Sequence, residues 1–286
     1  MNGIKYYYKL TKPGIIRGNS IAVIAGFLLA SQGDVSISLL LWTLLGSGLI
    51  MGGGCVLNNF IDRDIDKKMT RTKTRALASN KISPVGALMY GGILALMGFI
   101  TLYNFTNNLT VYVGLFGFIF YVYIYAYFKR KTEHGTLVGS ISGAVPPLAG
   151  YVAVSNNIDS GAILVFLILA TWQLPHFYAI AIFRAKEYEA AKIPVMSITR
   201  GIKVTKRYVL AYMPVYFVIS LLPYFYNLVG KTYLLIMITT GLYWAYVAIV
   251  NYNVLADERW AKKVFGTSLL VLTFFCLAIF FDTSPW

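Results

Sequence analysis

Residues 58–75 read NNFIDRDIDKKMTRTKTR and organise the rest of the chain around them. A hydrophobic run, residues 39–57, comes directly before this stretch, and another begins at Pro84. Hydrophobic runs of this length favour the interior of a membrane. The sequence therefore predicts a charged segment at the membrane surface, between two membrane helices.

The acidic part of this stretch has helical spacing. At about 100° per residue, Asn58, Asn59, Asp62 and Asp66 share one face of a helix, and Asp64 lies on the opposite face. Carboxylate and amide oxygens suit Mg2+, which completes its coordination with water and phosphate. We therefore predict Asn58, Asp62 and Asp66 as catalytic residues, and these three with Asn59 as metal ligands. A solvated loop would also be rich in charge, but it does not need acids four residues apart.

Basic residues follow the acids and recur near the membrane surface elsewhere in the chain. Arginine and lysine bind the phosphate oxygens that a metal leaves free. We predict a diphosphate-binding set consisting of Lys12, Arg71, Lys73, Arg75, Lys129 and Arg130.

The composition is that of a membrane protein. Of 286 residues, 58% are hydrophobic and 13% charged, and that charged fraction is about half of what soluble domains carry. We expect one helical domain over residues 1–286 and no cleaved signal segment. The net charge of +14 is explained by lysine and arginine on the cytoplasmic side, so no nucleic acid partner is expected. Cys55 and Cys276 lack the spacing of a metal or redox site.

Hydrophobic runs predict nine membrane helices, at about residues 14–30, 37–57, 84–103, 109–128, 136–154, 162–183, 207–226, 233–252 and 264–281. With the N-terminus inside, 24 of the 25 lysines and arginines lie on the cytoplasmic side, and only Lys231 lies outside. We therefore expect a multi-pass protein of the cell membrane, with a cytoplasmic N-terminus and with Trp286 outside.

Asn58-x3-Asp62-x3-Asp66, followed by Arg71-Thr72 and Arg75, resembles the first Asp-rich motif of the UbiA superfamily of intramembrane prenyltransferases. Many members have aspartate where this chain has Asn59, and this departure resembles the branch that farnesylates heme. Three further segments are similar to that branch: residues 11–14 (TKPG), 143–147 (GAVPP) and 172–177 (WQLPHF). The resemblance extends from about Lys9 to about Phe265.

The resemblance implies an all-α bundle of nine transmembrane helices around a cavity that opens to the cytoplasmic side. It also implies a prenyltransferase with Mg2+ as cofactor. The enzyme would transfer farnesyl from farnesyl diphosphate to a vinyl group of heme b, with water addition, giving heme O and diphosphate. Heme b is then a substrate, and the partners are membrane lipid and the proteins that use heme O or form heme A. The alternatives are a prenyltransferase for a quinone precursor and a transporter, although a transporter should carry its acids near mid-span.

The resemblance also selects residues for the heme or the prenyl group, namely His176, Trp172, Gln173 and Tyr125. His176 is a candidate iron ligand, although a lone histidine in a membrane helix is often a hydrogen-bonded structural group. Tyr121, Tyr123, Tyr125 and Tyr127 are candidates for stabilising a carbocation. The second Asp-rich motif of the superfamily is incomplete here: Glu187 stands at its place and is a candidate metal ligand, which favours heme over a quinone precursor.

Overall fold

The computed structural model describes residues 2–283, without the side chain of Asn2, and its elements are helices. Within these residues, nine helical segments are long and apolar enough to cross a membrane. They span Pro13–Ser31, Ile37–Ile61, Pro84–Phe105, Asn108–Lys131, Gly135–Ser155, Ser160–Phe183, Ile202–Phe225, Lys231–Val250 and Asp257–Asp282, and are called the first to ninth membrane helices below. The predicted all-α membrane fold is confirmed.

Three helices extend four or more residues beyond the predicted hydrophobic runs. The second continues to Ile61, the seventh begins at Ile202 and the ninth begins at Asp257. Each extension adds polar residues at a helix end, where the backbone still forms intrahelical hydrogen bonds although the side chains have left the apolar layer. The second helix thereby delivers Asn58 and Asn59 on its last turn.

Glycines bring the backbones of two pairs of helices into direct contact. A Cβ atom at Gly26 would lie 1.9 Å from the Pro147 carbonyl oxygen, and one at Gly150 would lie 2.0 Å from the Val23 carbonyl oxygen, so the first and fifth helices touch. A Cβ atom at Gly53 would lie 2.6 Å from the Gly91 carbonyl oxygen on the third helix. Such close approach is a main source of helix association in membranes. It fixes the second helix just before its acidic end.

The sixth to ninth helices form an aromatic-rich half of the bundle. Three buried indoles each donate to a backbone carbonyl of another helix: Trp172 to Ser268 at 2.9 Å, Trp244 to Val264 at 3.0 Å and Trp260 to Ala248 at 2.8 Å. Buried Trp N–H groups need such partners, particularly where no water is present. These bonds hold the sixth and the eighth helices against the ninth helix.

Two helices are irregular in their middle. The fourth contains a π-helical segment, Phe120–Tyr125, between two α-helical parts, Asn108–Ile119 and Ala126–Lys131. The fifth consists of Gly135–Gly143 and Val145–Ser155, with Pro146 and Pro147 in the first turn of the second part. Irregular backbone at membrane depth is tolerated where it lines a cavity.

The N-terminal helix Asn2–Leu10 covers the segment that follows the acidic residues. Its Tyr6, Tyr7 and Leu10 pack with an apolar cluster that includes Leu77 and Tyr90. The Tyr7 and Tyr90 rings meet edge to face at 5.1 Å. Short helices Arg63–Asp66, Ala185–Ala190 and Met196–Thr199 complete this end of the bundle, which is called the charged end below.

Candidate active site

A cavity of about 580 Å³ opens at the charged end, between membrane helices one, two, four, five and six. Charged and polar residues line one part, including Lys12, Asn58, Asp62, Asp66, Arg71, Arg75, Lys129, Arg184 and Tyr188. Apolar residues such as Ile50, Met51 and Phe118 line another part. The cavity therefore suits a molecule with an anionic head and an apolar tail.

The acidic residues are arranged as their spacing predicts. The second helix ends at Ile61, and one further turn, Arg63–Asp66, follows the cap residue Asp62. Asp62 and Asp66 are 2% and 5% exposed and line the cavity, whereas the Asp64 side chain is 60% exposed and does not. Two of the three aspartates in this stretch thus face one place.

Each buried acid has a basic partner. Lys129 Nζ donates to Asp62 Oδ2 at 2.5 Å. Arg75 Nη1 lies 2.9 and 2.8 Å from the two carboxylate oxygens of Asp66. A buried carboxylate needs such a partner, because an isolated buried charge is costly. Two of the cations predicted for a diphosphate, Lys129 and Arg75, are therefore beside the predicted metal ligands.

Lys12 joins this group from the loop before the first membrane helix. Its Nζ donates to Asn58 Oδ1 at 3.1 Å. Its backbone is left-handed, with φ 53°, which is uncommon outside glycine and typical of functional sites. Burial lowers the pKa of the Lys12 ammonium to about 8, and the positive charges of Arg75 and Lys129 act in the same direction.

Two buried polar atoms at this place lack a hydrogen-bond partner among the described residues: Asp62 Oδ1 and Asn58 Nδ2. Buried polar groups are rarely left unpaired, so such atoms indicate a ligand. No group of three or more His, Cys, Asp or Glu side chains within residues 2–283 is close enough to hold a metal ion alone. Two carboxylates with an amide oxygen suit Mg2+, which takes its other ligands from water and phosphates. The residues present fit that ion.

Asn59 does not line the cavity, and its prediction as a metal ligand is corrected. Its Nδ2 donates to the Leu10 carbonyl at 2.8 Å, and its Oδ1 accepts from Arg75 Nη1 at 3.3 Å. Both ends of the amide are therefore occupied. Asn59 positions Arg75 and the N-terminal helix, and only an amide provides both the donor and the acceptor.

Three further predicted residues lie outside the cavity wall. Arg130 pairs with the exposed Asp64 at 2.7 Å, lies 3.6 Å from Asp62 and donates to the Ile61 carbonyl, so it supports the acidic turn without lining the cavity. Lys73 is exposed on the segment after the acids. Glu187 lies between two arginines, 3.0 Å from Arg184 and 3.7 Å from Arg71. Its carboxylate therefore pairs with these cations, whereas a metal ligand would point toward the metal ion.

The tyrosines of the fourth helix divide into two sets. Tyr121 and Tyr125 line the cavity with their rings stacked at 5.8 Å, and Lys129 follows four residues later. Tyr123 and Tyr127 are 63% and 60% exposed and point away, so the prediction that they line the site is wrong. The two sets lie on opposite faces of the helix, as their spacing of two residues requires.

The sixth helix presents Gln173 to the cavity and turns His176 and Trp172 away from it. Gln173 Nε2 donates to the Leu169 carbonyl at 3.0 Å. His176 Nδ1 lies 2.7 Å from Ser268 Oγ, and the imidazole stacks on Trp172 at 4.5 Å. The predicted cavity positions of His176 and Trp172 are therefore corrected: both pack against the ninth helix, about 60° and 100° around the sixth helix from Gln173.

Arg184, Tyr188 and Glu133 belong to the cavity wall and were not predicted as site residues. Glu133 pairs with Arg200 and accepts a hydrogen bond from Thr199 Oγ1 at 2.6 Å, which joins two segments of the charged end. Arg184 is the first residue after a membrane helix, and this basic position beside an apolar run was the available signal.

Known proteins match this chain over most of its length. The protoheme IX farnesyltransferase of Klebsiella pneumoniae subsp. pneumoniae is 46% identical over 270 residues, 94% of this chain and 92% of that protein. That of Yersinia pseudotuberculosis serotype O:1b is 46% identical over 271 residues, with the same coverage.

Solved structures share the fold at lower identity. A digeranylgeranylglyceryl phosphate synthase superposes with a TM-score of 0.81 and 21% identity over 99% of each chain. A UbiA homolog from Archaeoglobus fulgidus, bound to GPP and Mg2+, has a TM-score of 0.70 and 14% identity, over 96% of this chain and 99% of that chain. The pattern that defines the UbiA prenyltransferase family matches residues 19–279. With that match and the 46% identical relatives, the chain belongs to the UbiA prenyltransferase family.

Proposed function

We propose that this protein transfers the farnesyl group of farnesyl diphosphate to a vinyl group of heme b. Water completes the new side chain, and the products are heme O and diphosphate. The proposal is supported by the protoheme IX farnesyltransferases, which are 46% identical over 94% of the chain. The observation that carries it is the cavity, with two carboxylates and three cations at one end and an apolar surface beyond them.

We assign Asn58, Asp62 and Asp66 to Mg2+ and, through it, to the diphosphate. Asp62 Oδ1 is buried, accepts no hydrogen bond and lies 3.6 Å from Arg130, and this atom and the short distances between the acids and their cations support the assignment. Bound there, Mg2+ would offset the negative charge that grows on the leaving diphosphate. The UbiA homolog solved with GPP and Mg2+ supports metal use in the family.

Lys12, Arg75 and Lys129 bind the diphosphate oxygens in this proposal. All three line the cavity, and their present partners are Asn58, Asp66 and Asp62. When the carboxylates turn to the metal, the same ammonium and guanidinium groups become free to donate to phosphate oxygens. Charge-assisted hydrogen bonds of this kind stabilise the leaving oxygen as the allylic C–O bond breaks.

The allylic cation that remains needs electron-rich neighbours and protection from water. The stacked rings of Tyr121 and Tyr125 lie on the cavity side of the fourth helix, next to Lys129. Aromatic faces attract cations, and the apolar wall around Ile50 and Phe118 receives the prenyl chain and excludes water. The cation is then captured by the heme vinyl group before hydrolysis.

The charged end faces the cytoplasm in this proposal, and the protein lies in the cell membrane as a single domain over residues 1–286. The support is the 24-to-1 distribution of lysine and arginine, together with nine long apolar helices at the corresponding places within the described residues. The C-terminus would lie outside, although Trp286 itself is beyond the described residues. Heme O would pass to the proteins that use it or convert it to heme A.

The test is to incubate the purified protein with heme b, farnesyl diphosphate and Mg2+ and to analyse the porphyrin by mass spectrometry. We expect a product heavier than heme b by one farnesyl group and one hydroxyl group. Diphosphate release that depends on heme b is the second readout. Unmodified heme, together with prenylation of an added quinone precursor, would overturn the proposal.

A further inference from the structure

A second group of charges lines the cavity apart from the acids of the 58–66 stretch. Arg71 and Arg184 both contribute to the wall, and both pair with Glu187, at 3.7 and 3.0 Å. Among the described residues, neither arginine pairs with Asp62 or Asp66, which have Lys129 and Arg75 as partners. The diphosphate end already has three cations of its own, so this arginine pair is available for a different anion.

The geometry of the pair suits a carboxylate. The Glu187 carboxylate already lies between the two guanidinium groups, but its Oε2 atom is buried without a hydrogen-bond partner. Arg71 Nε is 3.7 Å away, which is too far for a hydrogen bond, and its side chain makes none within residues 2–283. Arg71 therefore has unused donors, and arginine binds carboxylates through two parallel hydrogen bonds.

The sixth helix connects this charged pair to an apolar surface. Gln173, Phe177, Ile180 and Ala181 line the cavity along the helix that ends at Arg184. From Gln173 to Arg184 the helix rises about 16 Å, a length that accommodates a flat macrocycle with acidic groups on one edge. Gly143 of the fifth helix lies directly against Gln173, because a Cβ atom at Gly143 would lie 2.0 Å from Gln173 Oε1.

We propose that Arg71 and Arg184 form the subsite for the carboxylate groups of the acceptor, which are the two propionates of heme b. This inference rests on the proposed function. The vinyl groups lie on the porphyrin edge away from the propionates, so propionates at Arg71 and Arg184 direct the vinyl edge into the cavity. The arginine pair is then specific for the acceptor, and Lys12, Arg75 and Lys129 are specific for the prenyl donor.

The first test changes the ligand and needs no variant. Heme b and its dimethyl ester, in which both propionates are neutral, are titrated into the purified protein and followed by the Soret absorbance. We expect the ester to bind about tenfold or more weakly, as for the loss of one or two charge-assisted hydrogen bonds. Equal affinities would overturn the proposal whether or not the protein turns over.

The second test compares Arg184→Gln and Arg71→Gln with Lys186→Gln, which removes an exposed charge from the same segment without touching the cavity wall. The two arginine variants should weaken heme b about fivefold to tenfold, leave the ester unchanged and leave the KM for farnesyl diphosphate within about twofold. Lys186→Gln should leave all three unchanged. A raised KM for farnesyl diphosphate with unchanged heme affinity would assign the pair to the diphosphate and overturn the proposal.

Failure of this inference is distinguishable from failure of the proposed function. Binding of heme b is measured without prenyl transfer, whereas the proposed function fails only if wild-type protein forms no farnesylated heme. A protein that makes heme O but binds heme b and the ester equally keeps the proposed function and loses the propionate subsite.

Discussion

Lys12 should give diphosphate binding a characteristic pH dependence. Its pKa is lowered to about 8, chiefly by burial. About 90% of the side chain is therefore charged at pH 7, and about 10% at pH 9. Only the ammonium form attracts a diphosphate, and the bound diphosphate raises the pKa again. The affinity should therefore be nearly constant up to about pH 7 and fall as the pH rises through 8.

The expected size follows from the same pKa. Between pH 7 and pH 9 the dissociation constant should rise about tenfold, which corresponds to about 1.4 kcal/mol. The probe is farnesyl thiodiphosphate, an analogue whose C–S bond resists ionisation, titrated by calorimetry with excess Mg2+. Measurements start at about pH 7, above the range in which the diphosphate itself takes up protons.

Two variants separate Lys12 from other causes. Lys12→Arg keeps its charge throughout this range, so its affinity should stay flat to pH 9. Lys9→Arg changes an exposed lysine of the N-terminal helix and should retain the wild-type slope. A flat wild-type profile, or the same slope in Lys12→Arg, would refute the assignment of Lys12 to the diphosphate.

Three other changes follow from the site geometry. Asn59→Asp removes the donor to the Leu10 carbonyl and draws Arg75 toward a new carboxylate, so the KM for farnesyl diphosphate should rise about tenfold. Asn59→Gln should not recover the wild-type KM. An unchanged KM would contradict the positioning role of Asn59. His176→Ala should leave the Soret spectrum and heme affinity unchanged but lower the free energy of unfolding by about 1–3 kcal/mol, because the hydrogen bond to Ser268 is lost; a shifted Soret band would restore the iron-ligand hypothesis. Gly143→Ala should displace Gln173 and slow heme farnesylation while thermal stability changes little. Equal rates for this variant and the wild type would contradict a role of the Gln173 position in the reaction.

Hydropathy and helical spacing were enough to predict most of the architecture. Nine apolar runs became nine membrane helices within the described residues, because a helix is how a chain satisfies its backbone groups in lipid. The spacing of Asp62 and Asp66 predicted that they share a face and that Asp64 does not. Both inferences depend only on local geometry, which a sequence carries.

Tertiary contacts decided the residues that the sequence placed wrongly. Helical spacing places Tyr121 and Tyr125 on one face of the fourth helix and Tyr123 and Tyr127 on the other, but the neighbouring helices decide which face lines the cavity. Asn59 has the residue type of a metal ligand, but its amide nitrogen donates a hydrogen bond to the Leu10 carbonyl at 2.8 Å. His176 depends likewise on Ser268 of the ninth helix, which is distant in sequence.

The central proposal is that Asp62 and Asp66 form the reactive site and that Asp64 lies outside it. The most direct measurement compares the rate of heme farnesylation in Asp62→Asn, Asp66→Asn and Asp64→Asn at saturating Mg2+, with expression and thermal stability recorded for each. Asp62→Asn and Asp66→Asn should each lose about 100-fold or more in kcat, because each removes a charge aimed at the leaving group. Asp64→Asn should stay within about fivefold, since it alters only an exposed pair with Arg130. Similar losses in all three variants would contradict the proposal.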